Sequence, residues 1–177
     1  MKTSPKLFRG FGKGAGAILL VALAVEAGSA PGGDWSGWKP MAEGGAVVEI
    51  APDTVAPLDG PKTNSWRLTV KNTGHRAGMV SGETGEATVQ AGQWYDLSFY
   101  ASTEAGKHFA LTVSLESADG KTVGARATLP EVGGRWTEYH LALQARQAAP
   151  QCRMVITLAE TGTIRLGVIT LVPRKNL

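Results

Sequence analysis

Apolar residues fall on every second position in one stretch of the chain after another, and this repeat of two constrains the fold more than any other feature. In Gln93 to Ser102, QWYDLSFYAS, the residues Tyr95, Leu97, Phe99 and Ala101 make one face, and Trp94, Asp96, Ser98 and Tyr100 make the other. A strand sends successive side chains to opposite faces of its sheet, so a period of two marks a strand with one face in a core. Trp66, Leu68 and Val70 repeat the pattern, as do Phe109, Leu111, Val113 and Leu115, and then Cys152, Met154, Ile156 and Leu158. All of these are assigned to the core. Beyond the first thirty residues no stretch sustains an apolar period of 3.6, which is what an amphipathic helix requires.

The pattern predicts strands at Ala46–Ile50, Trp66–Lys71, Glu86–Gln90, Trp94–Ser102, Phe109–Ser117, Thr122–Leu129, Trp136–Leu143, Arg153–Ala159 and Thr163–Val172. Turn-forming sequences separate them, among them NTGH, SADGK, PEVGGR and AETGT. Asp119-Gly120 is a strong hairpin signal, because a tight hairpin turn needs residues that tolerate positive φ. Short strands at regular spacing imply an all-β sandwich or barrel.

The N-terminus reads differently. Lys2, Lys6, Arg9 and Lys13 precede the apolar run Ala15 to Val25, and the small residues Gly28-Ser29-Ala30 follow it. This is the layout of a secretory signal peptide over residues 1–30. The run falls short of the roughly 20 apolar residues that cross a bilayer. The chain is therefore expected to be secreted or periplasmic, with no membrane association after cleavage. A Gly-rich lead-in over residues 31–44 and a folded domain over residues 45–177 are expected to follow. Of the 18 basic and 15 acidic residues, the first thirty hold four and one, so the remainder is balanced. A nucleic-acid footprint needs a basic patch on the folded domain, and this balance predicts none. Cys152 is the single cysteine and cannot form an intrachain disulfide. Stability must come from the core, which about 145 residues can supply.

The faces opposite the apolar ones carry Arg67 and Thr69, then Ser98 and Tyr100, then Thr112, Ser114 and Glu116, then Arg153 and Thr157. If those strands lie in one sheet, its outer face is polar and structured. Catalytic patterns are absent. His75, His108 and His140 are scattered, and Glu138 with His140 shares a face but has no third ligand, which reads as a surface pair. Neither G-x-S-x-G nor H-E-x-x-H occurs. Cys152 falls on the apolar side of its strand, where a thiol acts as a small hydrophobe. The chain reads as a non-enzyme with no catalytic residue, metal or cofactor. Trp66 and Tyr139 read as core and Trp38 as packed. Trp136 is expected to close one end of the sandwich, and Trp94 to pack at an edge.

The ordered run NSWRLTV, AGM, AGQWYDLSFYA, LTVSLESADGK, GRWTEYHLAL, CRMVITLAETGTIRL and VITLVP resembles the noncatalytic domain of α-L-arabinofuranosidases, a jelly roll like a carbohydrate-binding module. The likeness extends over Trp38 to Pro173, and the wider group includes cellulose- and xylan-binding modules. It implies a two-sheet antiparallel jelly-roll β-sandwich, with sugar held on the outer face of one sheet. Two places depart from the family pattern. Ser81 to Glu86 lacks an aromatic patch, and Leu166-Gly167-Val168 lacks the carboxylate that the last strand usually carries, so no calcium site is carried over.

On this resemblance the carbohydrate-binding residues are Arg67, Ser98, Tyr100, Ser114, Glu116 and Arg153. A sugar ring stacks on an aromatic surface, while guanidinium and carboxylate groups bond its hydroxyls. The same residues also fit an ordinary solvated face, the common condition of antiparallel sheets. The expected function is a secreted, noncatalytic module that recognises a plant or microbial polysaccharide or oligosaccharide. The alternatives are a structural or protein-interaction sandwich with a decayed sugar site, and an accessory module detached from an arabinofuranosidase. With Leu177 as the last residue, the module is expected to stand alone or to be such a piece.

Overall fold

The computed structural model describes residues 37–55, 58, 65–81 and 89–174. The expected signal peptide, Trp35 and most of the expected strand at Glu86–Gln90 lie outside these residues. Only the end of that strand is described: Val89 makes an isolated bridge to Ala149.

Among the described residues there are ten strands: β1 (Trp38–Glu43), β2 (Val47–Pro52), β3 (Ser65–Asn72), β4 (Arg76–Ser81), β5 (Trp94–Thr103), β6 (Phe109–Glu116), β7 (Val123–Val132), β8 (Thr137–Gln144), β9 (Arg153–Leu158) and β10 (Gly162–Pro173). They form two antiparallel sheets of five. The first has the order β1-β4-β9-β6-β7, and the second β2-β3-β10-β5-β8.

The two inner faces meet in one core. Leu111, Val113 and Leu115 from β6 and Met154 and Ile156 from β9 join Leu68 from β3, Leu97 and Phe99 from β5, and Ile164 and Leu166 from β10, all of them sealed from solvent. Burying a Leu, Ile, Met or Phe side chain stabilises by about 1.5–3 kcal/mol. Trp38 of the first sheet meets Trp66 of the second with ring centroids 6.2 Å apart. Phe99 stacks on Tyr139 at 5.8 Å. The alternation in the sequence thus assigned these core positions correctly, strand by strand.

Two strands were not foreseen. Trp38–Glu43 was expected to be lead-in, yet it is the edge strand of the first sheet, paired with β4 from Trp38↔Ser81 to Glu43↔Arg76. Its period is hidden because Pro40 and Ala42, which share the inner parity with Trp38, are exposed at the sheet edge. The neighbouring β4 was not assigned as a strand, its apolar period being interrupted at Ala77-Gly78. There the small residue is a packing requirement, since a Cβ on Gly78 would lie 1.9 Å from the Ile156 carbonyl oxygen of β9. A glycine inside a strand marks such a close backbone approach.

Strand β10 also departs from a regular ladder. Its pairing with β5 shifts register between Gly167 and Thr170. Val168, within that bulge, has φ 48°, an uncommon conformation for a β-branched residue.

Candidate functional site

The six residues expected to line one face lie on two. Arg67 is on β3, and Ser98 and Tyr100 are on β5, all in the second sheet. Ser114 and Glu116 are on β6 and Arg153 is on β9, in the first sheet. The single combined face therefore does not form, and the two groups occupy opposite sides of the sandwich. Alternation tells which side of a strand is outward, but it does not tell which sheet the strand joins.

On the first sheet the outward residues make a network centred on Glu116. Direct pairing sets Glu116 beside Arg153 and Ser114 beside Val155. Ser114 Oγ donates to Glu116 Oε1 at 2.6 Å, and Arg76 Nη2 donates to the same oxygen at 2.5 Å. Arg153 Nη2 reaches Glu116 Oε2 at 3.5 Å. Arg76 also meets Glu43 Oε1 of β1 at 3.6 Å. Arg76 belongs to β4 and Glu116 to β6, with β9 between them in the sheet. Val155 of β9 points outward and is nevertheless fully buried.

The network is buried at its centre and open at its rim. Ser114 and Glu116 were expected to be solvated outward residues, but both are buried, and the Glu116 side chain is wholly inaccessible. A carboxylate so buried must be paired and hydrogen-bonded, and here two guanidinia and a hydroxyl do this. The Arg76 and Arg153 side chains keep 28% and 23% of their surface, so a ligand can still reach them. The turn after β6 helps to hold Arg153. Gly120, at φ 72°, lies against its guanidinium, and a Cβ there would sit 2.4 Å from Nη2. Thr112 and Thr128 extend the polar surface, their hydroxyls 3.1 Å apart.

Sequence reasoning missed Arg76. It lies in a strand that was not foreseen, 40 positions from its carboxylate, and no local signal links the two.

The second sheet's outward face is organised by isolated pairs. Tyr100 donates its hydroxyl to Glu138 Oε2 at 3.2 Å, and His140 Nε2 is 3.6 Å from Glu138 Oε1. Arg165 pairs with the buried Asp53 at 3.1 Å, and Lys71 pairs with Glu49. Arg174 bonds both oxygens of Asp96, a contact that holds the Asp96 carboxyl below its ordinary range. The same guanidinium lies 5.4 Å from the centroid of the Trp94 ring. Trp94, expected to pack at an edge, is instead exposed, at the start of a strand that has a neighbour on both sides. A shallow depression of about 340 Å³ lies between Ser98, His140, Thr170 and Arg174.

Cys152 is buried, and burial pushes its thiol up to about 12, far from the range of a nucleophile at neutral pH. No group of three or more metal-ligating side chains occurs among the described residues.

A β-sandwich that fixes a polar network on the outside of one sheet has the architecture of a surface-binding module. The chain belongs to the carbohydrate binding domain family, whose model matches residues 24–163. No curated protein matches the chain.

Solved structures share the fold. An arabinose-bound GH51 α-L-arabinofuranosidase superposes with a TM-score of 0.64 at 22% identity, covering 80% of this chain and 24% of that one. The N-terminal CBM22-1–GH10 modules of Clostridium thermocellum endo-1,4-β-D-xylanase 10B, complexed with xylohexaose, give 0.59 at 17%, covering 84% and 28%. The CBM22-1 xylan-binding domain of Paenibacillus barcinonensis Xyn10C gives 0.52 at 16%, covering 80% and 88%. The chain thus spans about a quarter of the length of the two enzyme chains and most of the length of the separate module. At these identities the likeness carries the fold.

Proposed function

We propose that this protein is a secreted, noncatalytic polysaccharide-binding module, and that the sugar lies on the outward face of the first sheet. The observation that carries this reading is the Glu116 network. Two guanidinia are oriented in advance by one buried carboxylate, and each keeps part of its surface exposed, from which it can donate to sugar hydroxyls. Groups already fixed lose little conformational freedom on binding, which favours even a shallow site. Arg76, Ser114, Glu116 and Arg153 form this site, with the two guanidinia as its accessible groups. Residues 1–30 serve as the export signal in this reading, and a plant or microbial polysaccharide is the ligand.

The site is open, and water competes for each of its hydrogen bonds. Binding is therefore weak, with Kd near the millimolar end, about −4 kcal/mol.

Affinity electrophoresis of the full chain through gels containing arabinan, xylan, β-glucan or polygalacturonate tests the proposal. At least one polymer should retard the protein, and Arg153→Gln should abolish the retardation; because that change also removes a partner of the buried Glu116 carboxylate, retardation is compared at a temperature where calorimetry shows the variant still folded. Tyr100→Ala tests the opposite face and should leave retardation intact. If Tyr100→Ala alone removes it, the sugar site is on the second sheet. If no polymer retards the wild type, a structural or protein-interaction role replaces the binding role.

A further inference from the structure

On the second sheet the outward carboxylates of Glu49, Asp53 and Asp96 pair with Lys71, Arg165 and Arg174, Glu138 lies beside His140, and Arg67 has no ion pair among the described residues. On the first sheet the carboxylates of Glu43 and Glu116 are taken by Arg76 and Arg153, and Glu131 of β7 lies beside His108. That leaves Lys39 of β1 and Arg126 of β7, both exposed and with no carboxylate within ion-pair distance among the described residues.

These two cations share one cross-strand row. Lys39 pairs with Val80, Val80 with Val155, Val155 with Ser114, and Ser114 with Arg126. Residues directly opposite in a ladder point to the same face. The row therefore runs across all five strands, about 19 Å for four spacings of roughly 4.8 Å. It carries at each end a cation with no ion pair among the described residues, and its Ser114 bonds Glu116 of the network. Arg146, also exposed and without an ion pair among the described residues, joins Arg126 in lining a depression of about 420 Å³ along the edge strand β7.

From this arrangement we propose that the ligand of the first sheet is an anionic polysaccharide, one that carries carboxylate or sulfate groups along its chain. The inference rests on the reading that this face binds a glycan. A neutral polymer would leave Lys39, Arg126 and Arg146 with only water to bond. A polyanion supplies the missing partners at both ends of the row, and guanidinium matches carboxylate or sulfate through two parallel hydrogen bonds. The positive charges spread along this row also draw a polyanion to this side of the molecule.

The test runs the full chain in affinity electrophoresis against polygalacturonate, the same polymer with its carboxylates methyl-esterified, dextran sulfate, neutral xylan and double-stranded DNA. Polygalacturonate should retard the protein strongly and its methyl ester weakly. If dextran sulfate retards the protein and polygalacturonate does not, the anion is sulfate and the inference stands. The double variant Arg126→Ser/Arg146→Ser should weaken anionic binding by about threefold to tenfold, as two exposed charge contacts allow, at an unchanged melting temperature. At about 1 M salt, where the screening length is about 3 Å, retardation should vanish.

Equal retardation by the acid and its ester, or by xylan, overturns the anionic ligand and leaves the glycan reading in place. Equal retardation by DNA overturns the inference in favour of a general polyanion surface. Failure with every polymer removes the glycan reading itself.

Discussion

Replacing Glu116 with glutamine tests whether the buried network holds the first sheet together. The change keeps the shape of the side chain and removes its charge. Arg76 and Arg153 then face a neutral amide that can accept from only one oxygen, and Ser114 loses its charge-assisted bond. Breaking a fully buried ion pair by removing one partner costs about 3–5 kcal/mol. Here the carboxylate is inaccessible but the guanidinia keep 28% and 23% of their surface, so water recovers part of their solvation. The expected loss is about 2–3 kcal/mol once this screening is allowed for. For a chain of this size each kcal/mol moves the melting temperature by about 3 °C, so calorimetry should show a fall of about 6–9 °C. Glu138→Gln breaks an exposed pair and should cost under about 1 kcal/mol. Adding Arg153→Met to Glu116→Gln should cost less than the two single changes together, by at least about 0.5 kcal/mol, because the second change removes a cation already left unpaired. A fall below about 2 °C for Glu116→Gln, or one equal to that of Glu138→Gln, would refute the argument.

Phe99→Ala should destabilise by about 3–5 kcal/mol in denaturant titration, since Phe99 is sealed in the core against Tyr139, while Ser98→Ala on the outward side should stay within about 0.5 kcal/mol. Similar losses for the two would mean that β5 is out by one residue. Gly78→Ala should cost about 1–3 kcal/mol, as overpacking does, because its new methyl meets the Ile156 carbonyl rather than a yielding side chain; an unchanged denaturation midpoint would contradict that contact. Cys152 should resist thiol reagents at pH 8 until the chain unfolds, and rapid labelling of the native protein would contradict its burial. Its pH effect has a definite sign. The folded thiol keeps its proton up to about 12, whereas an unfolded one loses it near 9.0. Between those values the unfolded chain holds fewer protons, so this group makes stability fall as pH rises.

The sandwich was legible in the sequence because burial on one face leaves a period of two that survives in single strands. Where a strand has little of that period, it could not be read. β1 has its apolar residues offset by exposure at the sheet edge, and β4 relies on Gly78, which looks like a turn residue and is needed for close packing. The site was less legible for a different reason. Ser114, Glu116 and Arg153 were picked as outward residues, and they are joined in one network. Arg67, Ser98 and Tyr100 were picked by the same criterion and lie on the far side. Parity is a property of one strand, whereas sheet membership depends on strand order, and the order β1-β4-β9-β6-β7 brings together segments distant in the chain. The charge balance is likewise a total that carries no positions. Lys39 and Arg126 are 87 positions apart and stand in one row only because five strands pair between them.

The outward face of the first sheet carries no aromatic ring among its described residues, and this shapes how it can bind. A module that stacks sugars on rings gains from apolar burial, which salt scarcely touches. A face built from Arg76, Arg153, Lys39 and Arg126 gains instead from charge and directed hydrogen bonds. Exposed charges contribute under about 1 kcal/mol each and fade with ionic strength, so a single short oligosaccharide is held weakly. A polymer changes the arithmetic, because one chain presents many equivalent segments to the same row. Each dissociation then leaves the next segment nearby at high effective concentration, and the apparent affinity rises with polymer length although no contact is added. Retention on a long polyanion together with millimolar affinity for its tetramer is therefore the behaviour this face should produce. A stacking site would instead bind a neutral tetramer with an affinity that hardly varies with salt.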